Sequence, residues 1–327
     1  MTVLDTTQPV TTASSAAGAA GASQSSNPAR SAESTTAAPA AVPRRPGRIR
    51  LAYRAFLRDR VAVVAACLLL LVFVVAVFAP VLAPYSPIAG DSSQRLAGIG
   101  TPGHPLGLDG QGRDILSRLL FGARNTLAVA LIPVLVVIPV SLMIGLLAGY
   151  SKGRLGDALM RLMDVLFAFP MVLFAIAVAA VLGSGMGNVM IAIGLTLIPY
   201  MARVAYTATV QESSREYIEA SKAGGATTPE ILFKELLPNV ISPVLVYATT
   251  LSGLMIVVAA GLSFLGIGIS PPTPDWGVMT ADGQSVLLWG FPHVATIPGL
   301  AILMVALAFN LIGDGVRDAL DPRKQTM

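Results

Sequence analysis

The sequence predicts an all-α integral membrane protein with six transmembrane helices. Its 327 residues are 54% hydrophobic and 12% charged, and that charged share is about half the value for a typical soluble domain. Six apolar stretches are long enough to cross a bilayer, because ~30 Å of hydrocarbon requires about 20 helical residues. Lysines and arginines gather on one side of these stretches, which places that side in the cytoplasm.

The N-terminal part differs from the rest in composition. Residues 1–42 are mostly Ala, Ser, Thr, Gly and Pro and cannot bury enough surface to offset their ordering entropy, so they are predicted to be a disordered cytoplasmic tail. Residues 43–60 form a basic juxtamembrane segment that holds the start of the first span in the cytoplasm, and residues 61–327 are the six-span domain. Because the positive residues flank spans and do not form one face, no nucleic-acid partner is predicted.

The six spans are predicted at residues 61–83, 126–149, 163–182, 189–207, 240–266 and 294–312. The basic segment places the N-terminus in the cytoplasm, and an even number of spans brings the C-terminus to the same side. The Lys and Arg residues then predicted to lie outside are all in the first outer loop: Arg95, Arg113, Arg118 and Arg124. Prolines within spans predict kinks that neighbouring helices tolerate, at positions 133, 139, 170 and 199. Gly253, Gly261 and Gly266 predict close approach of the fifth span to another helix.

A polar stretch at residues 207–238 separates the fourth and fifth spans and reads TATVQESSREYIEASKAGGATTPEILFKELLP. Good helix formers at residues 212–223 precede Gly224 and Gly225, which predicts a short helix with a glycine stop.

A second short helix is predicted directly after the glycines. Thr227 and Glu230 have the spacing of a capping box, and Pro229 fits the first helical turn. Apolar residues at positions 231, 232 and 236 give this helix one apolar side, and Pro238 is expected to end it.

This polar stretch resembles the EAA loop of ABC-importer permeases in Glu219-Ala220-Ser221, in Gly225 and in Glu235-Leu236-Leu237-Pro238. Ser221 stands where the family usually has Ala, and Glu235 where it usually has Ile. The resemblance implies a type I ABC-importer permease fold, with residues 207–238 acting as a cytoplasmic coupling helix docked in a groove of the ATPase subunit. The residues assigned to ATPase coupling are Glu219, Ala220, Ser221, Gly225, Ala226, Pro229, Ile231, Leu237 and Pro238.

Three further segments resemble the dipeptide/oligopeptide branch of these permeases, in its second (C-type) membrane subunit. They are the outer loop at residues 84–124, the Pro-Pro-Thr-Pro-Asp-Trp-Gly loop at residues 271–277, and the ending at residues 310–323. Within the first, helical spacing predicts that residues 112–118 lie along the membrane surface. The residues expected to face a receptor are His104, Asp109, Arg113, Asp114, Asp275 and Trp276.

These outer residues also allow two other interpretations. An interfacial aromatic belt is the alternative for Trp276, and it fits Trp289 as well. One histidine near two aspartates on a loop is too little to predict a metal site, so no metal is expected.

The resemblance implies a subunit that forms half of the translocation pathway of an ATP-driven importer for dipeptides or oligopeptides, in the plasma membrane of a bacterium. The implied partners are a second homologous permease, two cytoplasmic ABC ATPases that bind ATP and Mg, and an extracytoplasmic solute-binding protein. The chain has no glycine loop ending in Lys-Ser or Lys-Thr and no catalytic constellation. No enzyme activity and no cofactor are therefore predicted for it.

An ion-coupled secondary transporter or a channel is the alternative function. Such proteins place ionisable groups at mid-depth or use broken, repeated helix pairs, whereas Asp164 and Arg203 lie near the edges of predicted spans. A membrane scaffold without a transport role is a third possibility, which association with ATPase subunits would exclude.

Overall fold

The computed structural model describes residues 55–151 and 153–320. The predicted disordered tail, residues 43–54 of the basic segment and residues 321–327 lie outside the described residues. The helices that organise the described part are α1 (Arg60–Leu82), α2 (Ile115–Tyr150), α3 (Arg154–Phe167), α4 (Met171–Leu182), α5 (Met186–Ser213), α6 (Glu216–Ala223), α7 (Thr228–Phe264), α8 (Trp276–Leu287) and α9 (His293–Leu320).

Five helices of the described part are long and apolar enough to cross a membrane, namely α1, α2, α5, α7 and α9. Helices α3 and α4 meet that test only as a pair, and the pair is bent by 88° at its break. The all-α membrane class is therefore confirmed, with up to six spans if the bent pair counts as one.

The third predicted span is wrong as a single helix through residues 163–182. Helix α3 ends at Phe167 and α4 begins at Met171, because Pro170 has no N–H to donate and keeps the residue before it out of the helical region. Helix α3 carries Arg154, Asp157, Arg161 and Asp164 beside apolar residues. That mixture suits a helix at the membrane surface better than one inside hydrocarbon.

The surface helix predicted at residues 112–118 is also corrected, because these residues lead into α2. The Asp114 carboxylate accepts a hydrogen bond from the Ser117 amide at 2.7 Å and caps the N-terminus of α2. Ile115, the first helical residue, is 1% exposed. The block therefore forms the end of the outer loop, residues 83–114, and the first turn of α2, and it does not lie along the membrane surface.

The prediction that Pro238 ends a short helix is wrong. Helix α7 runs from Thr228 to Phe264, and its segment Ile231–Leu236 is π-helical. The Leu237 amide bonds the Leu232 carbonyl, five residues back. Pro238 follows at the start of the regular α-helix, where a missing N–H costs little.

The helix predicted at residues 212–223 is divided in two. Helix α5 continues to Ser213, and α6 covers only Glu216–Ala223. Arg215 Nε lies 2.9 Å from the Glu212 carboxylate across the break.

Close helix packing depends on small residues at particular crossings. A Cβ on Gly145 of α2 would collide with Ala205 of α5, and a Cβ on Gly253 of α7 would lie 2.7 Å from the Ala306 carbonyl of α9. Gly261 and Gly266 have open space instead, so only Gly253 of the three predicted glycines makes the expected approach. Helix α8 forms where the sequence predicts an external loop, and it packs on α7 through Gly277 and on α9 through Gly283.

Candidate functional site

The polar stretch folds around a glycine turn that ends α6. Gly225 has φ of +83°, a conformation that residues with a Cβ rarely adopt. The Ala226 amide bonds the Ser221 carbonyl at 3.1 Å, and the Gly225 amide bonds the Lys222 carbonyl at 3.0 Å. These are the two bonds of a Schellman motif, so the predicted glycine stop is confirmed at Gly225.

The capping box that opens α7 is confirmed as well. The Thr227 amide and hydroxyl both donate to the Glu230 carboxylate, at 3.0 and 2.9 Å. Lys234 Nζ lies 3.1 Å from the same carboxylate on the next helical turn. Glu230 therefore fixes the direction in which the chain enters α7.

Apolar side chains anchor this turn to the rest of the molecule. Ile218 of α6 and Ile231 and Leu236 of α7 are at most 1% exposed. The other face remains open, and the loop is thus a protrusion with an apolar base and a polar surface.

Most of the predicted coupling residues lie on that open surface. Glu219, Ala220, Gly225, Pro229 and Pro238 are exposed. Ser221, Ala226 and Leu237 are half-buried, and Ile231 is buried in the base. The structure brings these residues together in one protrusion, while their contact with an ATPase stays a prediction.

Sequence reasoning missed two aromatic residues at the protrusion. Phe233 is 49% exposed and Tyr217 is 37% exposed. The Tyr217 hydroxyl donates to Glu212 at 2.8 Å and accepts from the Asn239 side-chain amide at 3.2 Å. Phe233 could have been found from its position, because it falls off the apolar stripe formed by residues 231, 232 and 236.

Arg203 contacts α3 and not the protrusion. Its guanidinium pairs with Asp164 and lies 4.6 Å from the centroid of the Phe167 ring. The Phe167 ring is itself 4.6 Å from that of Tyr200 on α5. These contacts tie the end of α3 to α5 beside the 88° bend.

At the opposite end of the long helices, buried charges hold the outer loop to α2 and α8. Arg113 Nε lies 2.7 Å from Asp109, and its Nη2 lies 3.0 Å from Asp282 of α8. Arg118 of α2 lies 3.4 Å from Asp109 and donates to the Pro87 carbonyl at 3.2 Å. Both arginines and Asp109 are at most 3% exposed. We call Asp109, Arg113, Arg118 and Asp282 the outer ion network.

A second group of polar contacts holds the 271–277 loop to α2. Thr126 donates to Asp275 at 2.7 Å and accepts from the Trp276 amide at 3.1 Å. The Trp276 indole N–H donates to the Leu119 carbonyl at 2.9 Å. Burial raises the pKa of Asp275, while bonds from Thr126 and from the Gly277 and Val278 amides oppose that rise.

Burial corrects the expectation of a receptor-facing side chain for five of the six outer residues. Asp109, Arg113, Asp114, Asp275 and Trp276 are at most 3% exposed, because they bond to one another or to neighbouring backbone. Their side chains thus have almost no free surface and would influence a receptor only through the loops that they hold.

His104 and Trp289 are more exposed than the five residues above. The His104 side chain is 14% exposed and contacts Asp114 at 2.9 Å. Burial also excludes Trp276 from an interfacial belt, whereas Trp289 is 70% exposed.

Comparison with known proteins assigns this arrangement of helices and protrusion to a protein family. Residues 141–326 match the family described as "Binding-protein-dependent transport system inner membrane component". Residues 47–98 match the "N-terminal TM domain of oligopeptide transport permease C". The chain belongs to the membrane-spanning permease subunits of bacterial ABC importers. Within that class it is a member of the peptide permease family.

Similar proteins carry peptide-related names. The chain is 44% identical over 271 residues to the glutathione transport system permease protein GsiD of Pectobacterium atrosepticum, covering 83% of this chain and 90% of that protein. It is 40% identical to the di/tripeptide transport system permease protein DppC of Pseudomonas aeruginosa, covering 85% and 93% of the two chains.

A solved structure supports the fold alone. A chain from the inward-facing MetNI methionine ABC transporter superposes with a TM-score of 0.50 at 19% identity, over 62% of this chain and 96% of that one. The type I permease fold is therefore confirmed.

Proposed function

We propose that this chain forms half of the translocation pathway of an importer for dipeptides or oligopeptides, and that the protrusion from α6 to the start of α7 couples it to ATPase subunits. The protrusion itself carries the proposal. Ile218, Ile231 and Leu236 lock its base into the helices, while Glu219 and Ala220 remain exposed at its surface. A push on that surface moves α5 and α7 together, because both helices enter the protrusion directly.

The cargo proposed here is a small peptide. The relatives named above are described for glutathione and for di- and tripeptides, which share amide bonds and a free carboxylate. Glutathione is therefore tested as a cargo beside ordinary dipeptides.

The proposed assembly has several partners. A second homologous permease completes the pathway, and two cytoplasmic ABC ATPases bind ATP and Mg and engage the protrusion. An extracytoplasmic solute-binding protein delivers the peptide to the loops held by the outer ion network. This arrangement places both termini and the protrusion in the cytoplasm, with the 83–114 and 271–277 loops outside.

A pair of neighbouring glycines provides the test. Gly225→Leu forces a residue with a side chain to adopt a φ of +83°. This costs roughly 1–2 kcal/mol of conformational free energy, although open space surrounds the position. Gly224→Leu is the matched control, because Gly224 has φ of −75° and a Cβ there would meet only ordinary contacts at 3.5 Å.

The measurement uses the complete transporter, with its ATPases and binding protein, in proteoliposomes. Hydrolysis of ATP and uptake of a labelled dipeptide or of glutathione are followed together. Gly225→Leu is expected to insert normally and to hydrolyse ATP without matching uptake, while Gly224→Leu stays coupled. Normal uptake by Gly225→Leu would refute the coupling role, and uptake that persists without ATP would refute the importer.

A further inference from the structure

An apolar groove of about 530 Å³ lies between α1, α2, α7 and α9, away from the protrusion and from the outer ion network. Its walls are mostly apolar side chains, several of them strongly exposed, such as Val77 at 67% and Leu135 at 65%. Arg124 is the one charged residue of its lining. Its lining includes Phe73, Val77, Arg124, Ala128, Leu135 and Phe309.

The groove is as long as one leaflet of a bilayer. From Arg124 to Leu135 it follows α2 for about 16 Å, at 1.5 Å per residue, against ~15 Å for half of the hydrocarbon core. On α1 it reaches Phe73, about 14 Å from the helix end at Leu82. It therefore starts at the membrane surface beside the outer loop and stops near mid-depth.

Arg124 marks the surface end of this groove. Its side chain forms no ion pair or hydrogen bond with any residue in the described ranges. The other arginines of this end are bonded: Arg95 to the Gly110 carbonyl, Arg113 to Asp109, and Arg118 to Asp109. A guanidinium at the edge of hydrocarbon is stabilised by an anion with phosphate geometry.

We propose that this groove binds one anionic phospholipid of the leaflet next to the outer loop, with its phosphate on Arg124 and an acyl chain along α2. A membrane helix of another subunit fits the groove poorly. Such a helix crosses both leaflets, whereas this groove covers one leaflet, and bulky Phe73, Leu135 and Phe309 line it beside the small residues Ala76, Ala128 and Ser252.

The test measures lipid retained by the complete transporter after reconstitution into vesicles with equal parts of phosphatidylglycerol and phosphatidylcholine. Lipids that remain after detergent washing are identified by mass spectrometry. The wild type is expected to retain phosphatidylglycerol preferentially. Arg124→Gln is expected to lower that retention about fivefold, the factor for ~1 kcal/mol per basic residue near an anionic surface.

Three further variants separate the effect of the Arg124 charge from the effects of space in the groove and of positive charge elsewhere. Arg124→Lys keeps the charge and should retain most of the lipid. Ala128→Phe fills the groove and should exclude the acyl chain with Arg124 intact. Arg95→Gln removes a positive charge outside the groove and should leave retention unchanged, and thermal unfolding confirms that each variant is folded.

Two results would overturn the proposal. One is equal retention of phosphatidylglycerol by the wild type, Arg124→Gln and Ala128→Phe. The other is an efficient disulfide between Val77→Cys and a cysteine on the partner permease in the intact transporter, because the groove would then hold protein.

Discussion

The two ends of this permease are held by opposite means. At the outer end, Asp109, Arg113 and Arg118 are charged, bonded and at most 3% exposed. At the protrusion the order is reversed, because apolar residues form the buried base and the charged groups stay in solvent. The Lys234 and Glu230 side chains there are 72% and 46% exposed.

This difference matches two tasks: the buried charges fix the outer loops in position, whereas the exposed charges leave the protrusion accessible. A buried ion pair contributes little net stability, yet losing one partner is costly because the other charge is left without compensation. The outer ion network therefore tolerates few arrangements and holds its loops in one position. Exposed pairs restrict the chain far less, so the polar groups of the protrusion remain available to a partner protein.

The largest expected effect comes from breaking the outer ion network. Asp109→Ala removes the carboxylate between Arg113 and Arg118 and leaves two buried guanidinium groups with weaker compensation. A loss of about 3–5 kcal/mol in the free energy of unfolding is expected. Denaturant unfolding of the purified protein in detergent measures it.

The control for this variant is Asp164→Ala, which breaks an ion pair whose side chains are 45% and 54% exposed. Its cost should stay below about 1 kcal/mol. Similar costs for the two variants would mean that burial does not distinguish the two kinds of pair.

An intermediate effect is expected for Thr126→Val, which has nearly the same shape but no hydroxyl. It removes one of the donors to the Asp275 carboxylate, while the Gly277 and Val278 amides still donate to it. It also leaves the Trp276 amide without its side-chain acceptor, and the cost is expected to be about 1–3 kcal/mol.

The cost of Thr126→Val should depend on pH. Burial raises the pKa of Asp275, so the folded protein holds the carboxyl proton of Asp275 more tightly than the unfolded chain does. The stability that this proton contributes is lost as pH rises through the folded-state pKa. Because the Thr126 bond lowers that pKa, its removal raises the pKa further. The stability difference from the wild type should therefore grow as the pH rises above about 4, the ordinary range of a carboxyl pKa. A difference that shrinks over this range would contradict the account.

Local chemistry in the sequence predicted the protrusion well. The Gly225 turn and the Thr227–Glu230 box depend on residues at most five positions apart, and both form as expected. Spans were also recognisable, because length and apolar composition are local properties.

Long-range contacts were beyond such reasoning. Arg113 meets Asp282, which lies 169 positions along the chain, and Thr126 meets Asp275 at a separation of 149. Their burial reversed the interpretation of the outer residues. Prolines show the same limit of sequence reasoning. The chain bends at Pro170 but continues as a helix through Pro238, since a proline acts differently at a bend and at the start of a helix.

The smallest expected effect belongs to Lys234→Gln at the protrusion. It removes the exposed pair with Glu230, which lies one helical turn away, and leaves the Thr227 bonds to Glu230 in place. Exposed pairs at this spacing contribute about 0.3–0.5 kcal/mol, and salt near 1 M screens them almost completely because the Debye length falls to about 3 Å. Unfolding should thus differ slightly from the wild type at low salt and not at all at high salt. A loss near that of Asp109→Ala, or one that persists in salt, would show that the protrusion is held by its charges as the outer loops are.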